Sequence, residues 1–316
     1  MAHKRYTSGF TLMELMIALA LGLLIVAAGL AVFLSSQRSL SLQSGMSELQ
    51  QNANFGLSLV THDLRHTNLN TASSHRVNNY NEGSGIIFKK ENLPTALRAT
   101  ANLEAEFVTL QNKDTDNTTG KSDRLTIQYT PATSTIFNCE GVQVTNASSK
   151  TIVQRYYVAE SPQQVTGEPT SYSLYCDAAS YDGAGLVGLN TNAQQIMQRV
   201  DAFKVRLGVK NPAGQLRYMT INEYITAMDT IRAACATPID EDTCSKTYLN
   251  VVSMDIGILS RSTGTIGADA NLNTQTSFNV AGTPVTLSGD VAVNKRYLRQ
   301  AVNQVVAIRN TLGASS

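Results

Sequence analysis

The longest hydrophobic segment of the chain is Leu15 to Leu34, an unbroken run of apolar residues and glycines near the amino terminus. A run of about 20 such residues is the length that an α-helix needs to cross the hydrocarbon core of a bilayer. One acid, Glu14, immediately precedes the run, and His3, Lys4 and Arg5 form a basic patch farther upstream. A secretory signal has a shorter core and a small-residue cleavage site after it. The pattern therefore predicts a membrane-spanning helix.

The helix is predicted to continue beyond Leu34, because no proline occurs before Pro94 and apolar residues keep a helical spacing. These residues recur at intervals of three and four and form one stripe: Leu42, Met46, Leu49, Ala53, Gly56, Val60 and Leu64. Phe55 and Leu59 are expected to widen the stripe on one flank. Together the two parts predict one helix of about 55 residues and about 80 Å, with the stripe packed on a downstream head.

From residue 70 onward, alternating apolar and polar residues predict short strands. The predicted strands are Gly85–Lys89, Ala105–Leu110, Leu125–Thr130, Thr151–Val158, Ser171–Cys176, the later part of Ile196–Val209, Leu249–Ser260 and edge-like pieces within Asn271–Leu287. Thr220–Ala234 is predicted to be helical, and the local pattern of Arg296–Arg309 allows either a strand or a helix. The fold class predicted is α+β: a long amino-terminal α-helix packed on a β-rich head with an antiparallel sheet.

Composition narrows the choice of partners. The chain has 316 residues, a formal net charge of +1 and 16% charged residues. Near-neutral charge gives no electrostatic basis for nucleic acid as the main partner. The head has no dense basic stripe, and its only tight basic cluster is Lys295, Arg296 and Arg299.

The sequence Gly9-Phe10-Thr11-Leu12-Met13-Glu14, followed by an apolar helix, resembles the class III signal of type IV pilins and type II secretion pseudopilins. Met13 replaces the commoner isoleucine. The resemblance implies that residues 1–9 are a leader, that a prepilin peptidase cuts after Gly9 and methylates Phe10, and that Glu14 pairs with the amino group of a neighbouring subunit during assembly. A plain amino-terminal membrane anchor is the alternative reading.

A second segment, at the end of the predicted helix, resembles one subfamily of these proteins in particular. Glu48-Leu49-Gln50-Gln51-Asn52-Ala53-Asn54-Phe55, followed by Asp63-Leu64-Arg65, resembles the end of the first helix in PilW-type minor pilins, which are relatives of the J-type minor pseudopilins. Asn54 and Gly56 depart from the arginine and alanine that are usual there. The resemblance implies a pilin fold with residues 10–34 as the transmembrane and assembly half of the helix, 35–69 as its amphipathic half and 70–316 as the head.

Four cysteines allow three disulfide pairings. Cys139 and Cys176 resemble the cysteine pair of PilW-type heads, and Cys235 and Cys244 form a second, local pair. The expected bonds are therefore Cys139–Cys176 and Cys235–Cys244, as befits a head exported to an oxidising compartment. A zinc site is the rival interpretation, but no Cys-x-x-Cys spacing favours it.

Two clusters of side chains contain possible metal ligands. His62 and His66 lie at i and i+4 with Asp63 between them, but the pattern lacks the glutamate of the zinc-protease motif, so a structural, solvent-facing role is expected. Asp114, Asp116 and Asp123 lie in the polar segment Lys113–Asp123 without the spacing of a calcium loop, so a solvated loop is expected. No catalytic motif occurs either. We expect no enzyme activity, no cofactor and no metal.

The resemblance implies a structural subunit of a type IV pilus that belongs to the minor-pilin complex that primes assembly, and that supports adhesion, twitching motility or DNA uptake. Its expected partners are other minor pilins of the V, X and FimU/FimT types, the major pilin, a tip adhesin and the prepilin peptidase. It would be stored in the inner membrane with its head in the periplasm and would later stand at the pilus tip. The alternatives are a J-type minor pseudopilin of type II secretion and a tip-located subunit that binds DNA or a surface.

Overall fold

The computed structural model describes residues 9–71, 76–99, 106–183, 185–235, 238–265, 275–289 and 296–311.

One long α-helix, α1, runs from Leu12 to Leu64. Its 53 residues correspond to about 80 Å at 1.5 Å per residue, which confirms the predicted continuous helix. The helix contains no proline, and its leading half is rich in leucine and alanine, which are strong helix formers.

The first sheet of the head has the strand order β1-β2-β5-β6-β7, and all of its neighbouring strands are antiparallel. Its strands are Leu110–Asp114 (β1), Ser122–Tyr129 (β2), Thr151–Glu160 (β5), Tyr172–Tyr181 (β6) and Gln194–Gln198 (β7). Thr135–Phe137 (β3) and Gln143–Thr145 (β4) form a separate small hairpin between β2 and β5. Every residue of β2 is buried, which fits a strand covered on both faces.

The second sheet has the order β13-β10-β8-β9 and is also antiparallel. Its strands are Val200–Lys210 (β8), Leu216–Thr220 (β9), Asn250–Thr265 (β10) and Tyr297–Ala307 (β13). Ser277–Val280 (β11) and Thr283–Thr286 (β12) form a second hairpin. The helices Ile221–Ala233 (α2) and Glu241–Cys244 (α3) connect β9 to β10. The predicted helix after residue 220 is thus confirmed, and the carboxy-terminal segment is a strand.

The carboxy-terminal half of α1 packs on β10 and β13 of the second sheet and on β7 of the first. Its buried residues are Leu49, Ala53, Gly56, Leu57, Val60, Thr61 and Leu64. Of these, Ala53, Leu57, Val60 and Leu64 join one continuous apolar core with residues of both sheets and of α2. Hydrophobic burial therefore fixes this half of the helix to the head.

The predicted stripe is correct from Leu49 to Leu64 and wrong at its edges. Met46 is 43% exposed, and Phe55 and Leu59, expected to widen the stripe, are 63% and 43% exposed. Leu57 and Thr61 occupy the buried flank instead. The fully buried residues of the helix begin at Leu49, and the buried face lies on the Leu57 side. A helical spacing identifies an apolar face, but the partner decides which flank is covered.

The strand predicted at Gly85–Lys89 is not formed. Ile86 makes a single bridge to Ile127, and the Asn92 side chain accepts hydrogen bonds from the backbone N–H groups of Phe88 (2.9 Å) and Lys89 (3.2 Å). The asparagine thus takes the donors that a strand partner would need, and the chain turns.

The strand predicted at Ala105–Leu110 is also misplaced, since β1 begins at Leu110, where the prediction ends. Ala105 lies outside the described residues. Phe107 and Val108 are buried in a small apolar cluster beneath the first sheet. Burial of these side chains, rather than strand pairing, explains why the segment is apolar.

The polar segment Lys113–Asp123 is not a solvated loop. Asp114 forms an ion pair with Arg124, and Asp116 Oδ2 accepts a hydrogen bond from Ser122 Oγ at 2.7 Å. Asp123 Oδ2 accepts a hydrogen bond from the backbone N–H of Val205 in β8 at 2.9 Å. The three carboxylates are buried and point to different partners. Asp123 therefore connects the two sheets, whereas Asp114 and Asp116 bond within the first sheet and its adjoining loop, and the three carboxylates do not converge on one cation.

The predicted basic cluster is also not a surface cluster. Arg299 donates from Nε to Asp201 Oδ2 at 2.6 Å, and both side chains are buried. Arg296 is exposed, and Lys295 lies outside the described residues. The buried ion pair removes Arg299 from the charges that a nucleic acid could contact.

Candidate assembly site

The amino-terminal end of α1 is closed by reciprocal hydrogen bonds between Thr11 and Glu14. The backbone N–H of Glu14 donates to Thr11 Oγ1 at 3.3 Å, and the backbone N–H of Thr11 donates to Glu14 Oε2 at 2.9 Å. This arrangement is a capping box, which satisfies two of the backbone donors that a helix start leaves free. The Thr11 hydroxyl also donates to Glu14 Oε2 at 2.9 Å. All three bonds leave Glu14 Oε1 available for a donor from outside the helix.

Gly9 and Phe10 lie immediately before this cap and have no helical structure. Phe10 is 90% exposed, and Gly9 would meet no atom within 4 Å at an added Cβ. The Gly9–Phe10 peptide bond is therefore accessible on the described chain, and its neighbour Thr11 is extended at ψ 149°. Accessible, extended backbone is what a processing enzyme requires.

The amino-terminal half of α1 has no contact with the head: every residue from Leu12 to Leu34 is exposed. Its large apolar residues project all around the helix: Leu12, Met13, Leu15, Met16, Ile17, Leu19, Leu21, Leu23, Leu24, Ile25, Val26, Leu30, Val32, Phe33 and Leu34. In the part of the chain that the structure describes, α1 is the one helix that is long and apolar enough to cross a membrane. An uncovered apolar surface of this size marks a membrane or protein contact.

The other end of α1 lies about 75 Å along the helix axis from Glu14. There the Tyr156 hydroxyl in β5 donates to Asp63 Oδ2 at 2.8 Å. Complete burial and the neighbouring Asp63 carboxylate raise the pKa of Tyr156 well above its usual value. The phenol thus stays protonated and keeps donating to Asp63, which joins the last helical turn to the first sheet.

The two histidines of the last turn lie in different environments. His62 is exposed, with 72% of its side chain accessible, whereas His66 is half-buried and stacks on Tyr129 at a ring-centroid distance of 5.4 Å. The solvent-facing position expected for the pair therefore applies to His62. The ligand atoms of His62, Asp63 and His66 all lie within 4.8 Å of one another.

The four cysteines form two bonds in the structure. Cys139, in the connection between β3 and β4, is bonded to Cys176 in β6. Cys235, just after α2, is bonded to Cys244 at the end of α3. The first bond attaches the small hairpin to the first sheet, and the second closes the connection between α2 and β10. Both lie far from Glu14, so they stabilise the head and do not contribute to the helix start.

Two residues that make these contacts, Thr11 and Tyr156, are not among the site residues predicted from the sequence. Thr11 and Glu14 form a Thr-x-x-Glu pattern in front of an apolar run, which is the sequence signature of a capping box. Thr11 was thus identifiable. Tyr156 was not, because 93 residues separate it from Asp63 and no local pattern links them.

Two protein-family models agree with these features. Residues 155–310 match the family model described as type IV pilus-assembly protein W, and residues 4–30 match that of the prokaryotic N-terminal methylation motif. No curated protein sequence matches the chain. Among solved structures, the chain is similar to a type IV-like pilin from Thermus thermophilus at 12% identity and a TM-score of 0.34, covering 86% of this chain and 98% of that one.

Proposed function

Because this chain is a type IV pilin-like minor pilin of the PilW type, we propose that it is part of the minor-pilin complex that primes assembly of a type IV pilus and stays at the pilus tip. The observation that carries this proposal is the uncovered apolar half of α1, which begins at the capped acid Glu14. Such an apolar surface must be shielded from water by one environment before assembly and by another afterwards.

Before assembly, the covering is the inner membrane. The run Leu15–Leu34 has the length of a bilayer span, and the basic residues upstream favour a cytoplasmic amino terminus. The head then lies in the periplasm, where oxidising conditions support the bonds Cys139–Cys176 and Cys235–Cys244. The prepilin peptidase cuts after Gly9 and methylates Phe10, at the exposed bond that precedes the helix cap.

During assembly, the covering is the apolar helices of other pilins. Glu14 directs this step, because a carboxylate within an apolar bundle is costly unless it is paired. Its Oε2 accepts hydrogen bonds from Thr11, and its Oε1 accepts a hydrogen bond from the amino group of a neighbouring subunit. The partners are other minor pilins of the V, X and FimU/FimT types, the major pilin and the tip adhesin. The role is structural rather than enzymatic.

The test replaces Glu14 by alanine in the chromosomal copy. We expect the variant to insert in the membrane with a folded, disulfide-bonded head. It should support far fewer surface pili, because the amino group of the neighbouring subunit no longer has the Glu14 carboxylate to pair with. Pili are counted by electron microscopy, and membrane insertion is followed by fractionation. Gln51→Ala, at an exposed position of the same helix, is the control and should leave the pilus count unchanged.

Normal piliation in the Glu14→Ala strain would contradict the proposed mechanism. Deletion of the whole chain separates the pilus role from that of a J-type pseudopilin. Loss of surface pili with intact protein secretion supports the pilus role, whereas loss of secretion with intact pili overturns it.

A further inference from the structure

The last turn of α1 holds three side chains with metal-binding atoms. His62 and His66 are one helical turn apart, with their ring centroids 5.3 Å apart, and Asp63 Oδ1 lies 3.3 Å from His62 Nδ1. The ligand atoms of all three lie within 4.8 Å of one another. We propose that His62, Asp63 and His66 form a zinc-binding site at the carboxy-terminal end of the long helix.

Packing against the head positions two of the three ligands. Tyr156, which is fully buried, donates to Asp63 Oδ2 at 2.8 Å and so directs the other oxygen, Oδ1, towards His62. The ring of His66 is held by stacking on the buried Tyr129. Hydrogen bonds and contacts behind the ligands are the usual means by which proteins orient a metal site. This distinguishes the cluster from two histidines that meet by chance on an exposed helix.

Closing the site requires a small movement. Zinc at about 2.0–2.1 Å from each ligand needs separations of about 3.4 Å between ligand atoms in a tetrahedral arrangement. The pair His62 Nδ1 and Asp63 Oδ1 already has this spacing, at 3.3 Å. Rotation of His62, whose side chain is 72% exposed, shortens its distance to His66 without disturbing the core. The ligand atoms of Asp63 and His66 already lie within 4.8 Å of each other, and the half-buried ring of His66 makes the remaining adjustment.

The chemistry of the site favours a divalent cation with nitrogen and oxygen ligands. Two imidazoles and one carboxylate are a ligand set that zinc accepts, with its fourth position left to water or to another ligand. The carboxy-terminal end of a helix also carries a partial negative charge, which stabilises a cation there. The site is independent of Glu14, which lies about 75 Å away along the helix.

The test titrates zinc sulfate into the full-length chain in detergent micelles, with a chromophoric chelator as competitor. We expect one zinc ion per chain. His62→Gln and His66→Gln should each weaken binding at least tenfold, because each removes one of three ligands, and the double variant should lose the site. His3→Gln and His75→Gln, the other two histidines of the chain, are matched controls and should bind zinc as the parent does.

Two further readouts separate a metal site from a folding defect. Near-ultraviolet circular dichroism of each variant without zinc should match the parent, and His62→Gln serves this purpose best because His62 is exposed. Zinc should raise the melting temperature of the parent and of the controls but not of the double variant, because a ligand that binds the folded state stabilises it. The proposal is overturned if zinc binding does not saturate at one ion, or if the double variant binds as tightly as the parent.

Discussion

The two halves of α1 are both apolar, yet they differ in what covers them. From Leu12 to Leu34 every residue is exposed, whereas from Leu49 to Leu64 one face is buried against both sheets of the head. The leading half is apolar all around its circumference, and the trailing half is apolar on one stripe. A helix that is apolar all around suits a membrane or a bundle, and a striped one suits a single folded partner. The same helix therefore serves assembly with one half and folding with the other.

The comparison is tested most strongly by removing a large side chain from each half. Leu64 is fully buried, so Leu64→Ala should lower the free energy of unfolding of the head by about 2–5 kcal/mol. Leu23→Ala, in the exposed half, should leave it unchanged because Leu23 does not touch the head. Denaturant unfolding of the full chain in micelles, followed by near-ultraviolet circular dichroism, measures both. If Leu23→Ala lowered the free energy of unfolding as much as Leu64→Ala, the exposed half of α1 would also contribute to the stability of the head.

The second test concerns the hydrogen bond from Tyr156 to Asp63, at the carboxy-terminal end of the buried half of α1. Tyr156→Phe removes the donor to Asp63 Oδ2 and should cost about 1–3 kcal/mol, because a partly buried carboxylate loses its partner. Tyr218→Phe, on a half-exposed strand residue, is the matched control and should change stability by less than about 0.5 kcal/mol. Equal stability of Tyr156→Phe and the parent would show that Asp63 is satisfied by solvent instead.

Glycines provide a third test, since each half contains at least one. A Cβ at Gly56 would lie 2.8 Å from Met197 Sδ and 3.0 Å from its Cβ, and Met197 is buried. The crowding should cost about 2 kcal/mol and exceed the gain of about 1 kcal/mol in helix propensity, so Gly56→Ala should destabilise the head by about 1 kcal/mol. Gly29→Ala meets no atom within 4 Å and should not destabilise it. Thermal unfolding measures the stability of both variants. A Gly56→Ala variant more stable than the parent would show that Met197 moves aside readily.

The smallest effect is expected where the two halves meet. Glu48 Oε2 accepts a hydrogen bond from Thr263 Oγ1 at 2.6 Å on an exposed surface. Glu48→Ala should therefore lower stability by about 0.5–1 kcal/mol, the usual net value of one such bond. Gln51→Ala, also exposed on the helix, should have no effect. If both variants unfold at the same denaturant concentration as the parent, the Glu48 bond contributes nothing to helix docking.

Much of the site could be predicted from the sequence because its signals are local. The cap of α1 depends on residues three apart, and the membrane length depends on an uninterrupted run of apolar residues. The link between Asp63 and Tyr156 could not be predicted, since it joins residues 93 positions apart. The burial of Asp123 was missed for the same reason, because its partner Val205 lies 82 positions away in β8. Asp114 and Asp116 have partners closer in sequence, Arg124 and Ser122, but the polar composition of the segment gave no sign of their burial.

The sequence by itself determined the long helix, its apolar leading half, the acid at its start and the β-rich character of the head. Each of these follows from composition, spacing or capping within a short window, where backbone geometry relates sequence to structure directly. The tertiary structure alone decided which flank of α1 is covered, that Phe88 and Lys89 bond to Asn92 instead of extending a strand, and that Arg299 is buried with Asp201. It also placed Asp63 against Tyr156 and His66 against Tyr129. These outcomes depend on contacts between segments far apart in the chain, which a local pattern does not encode.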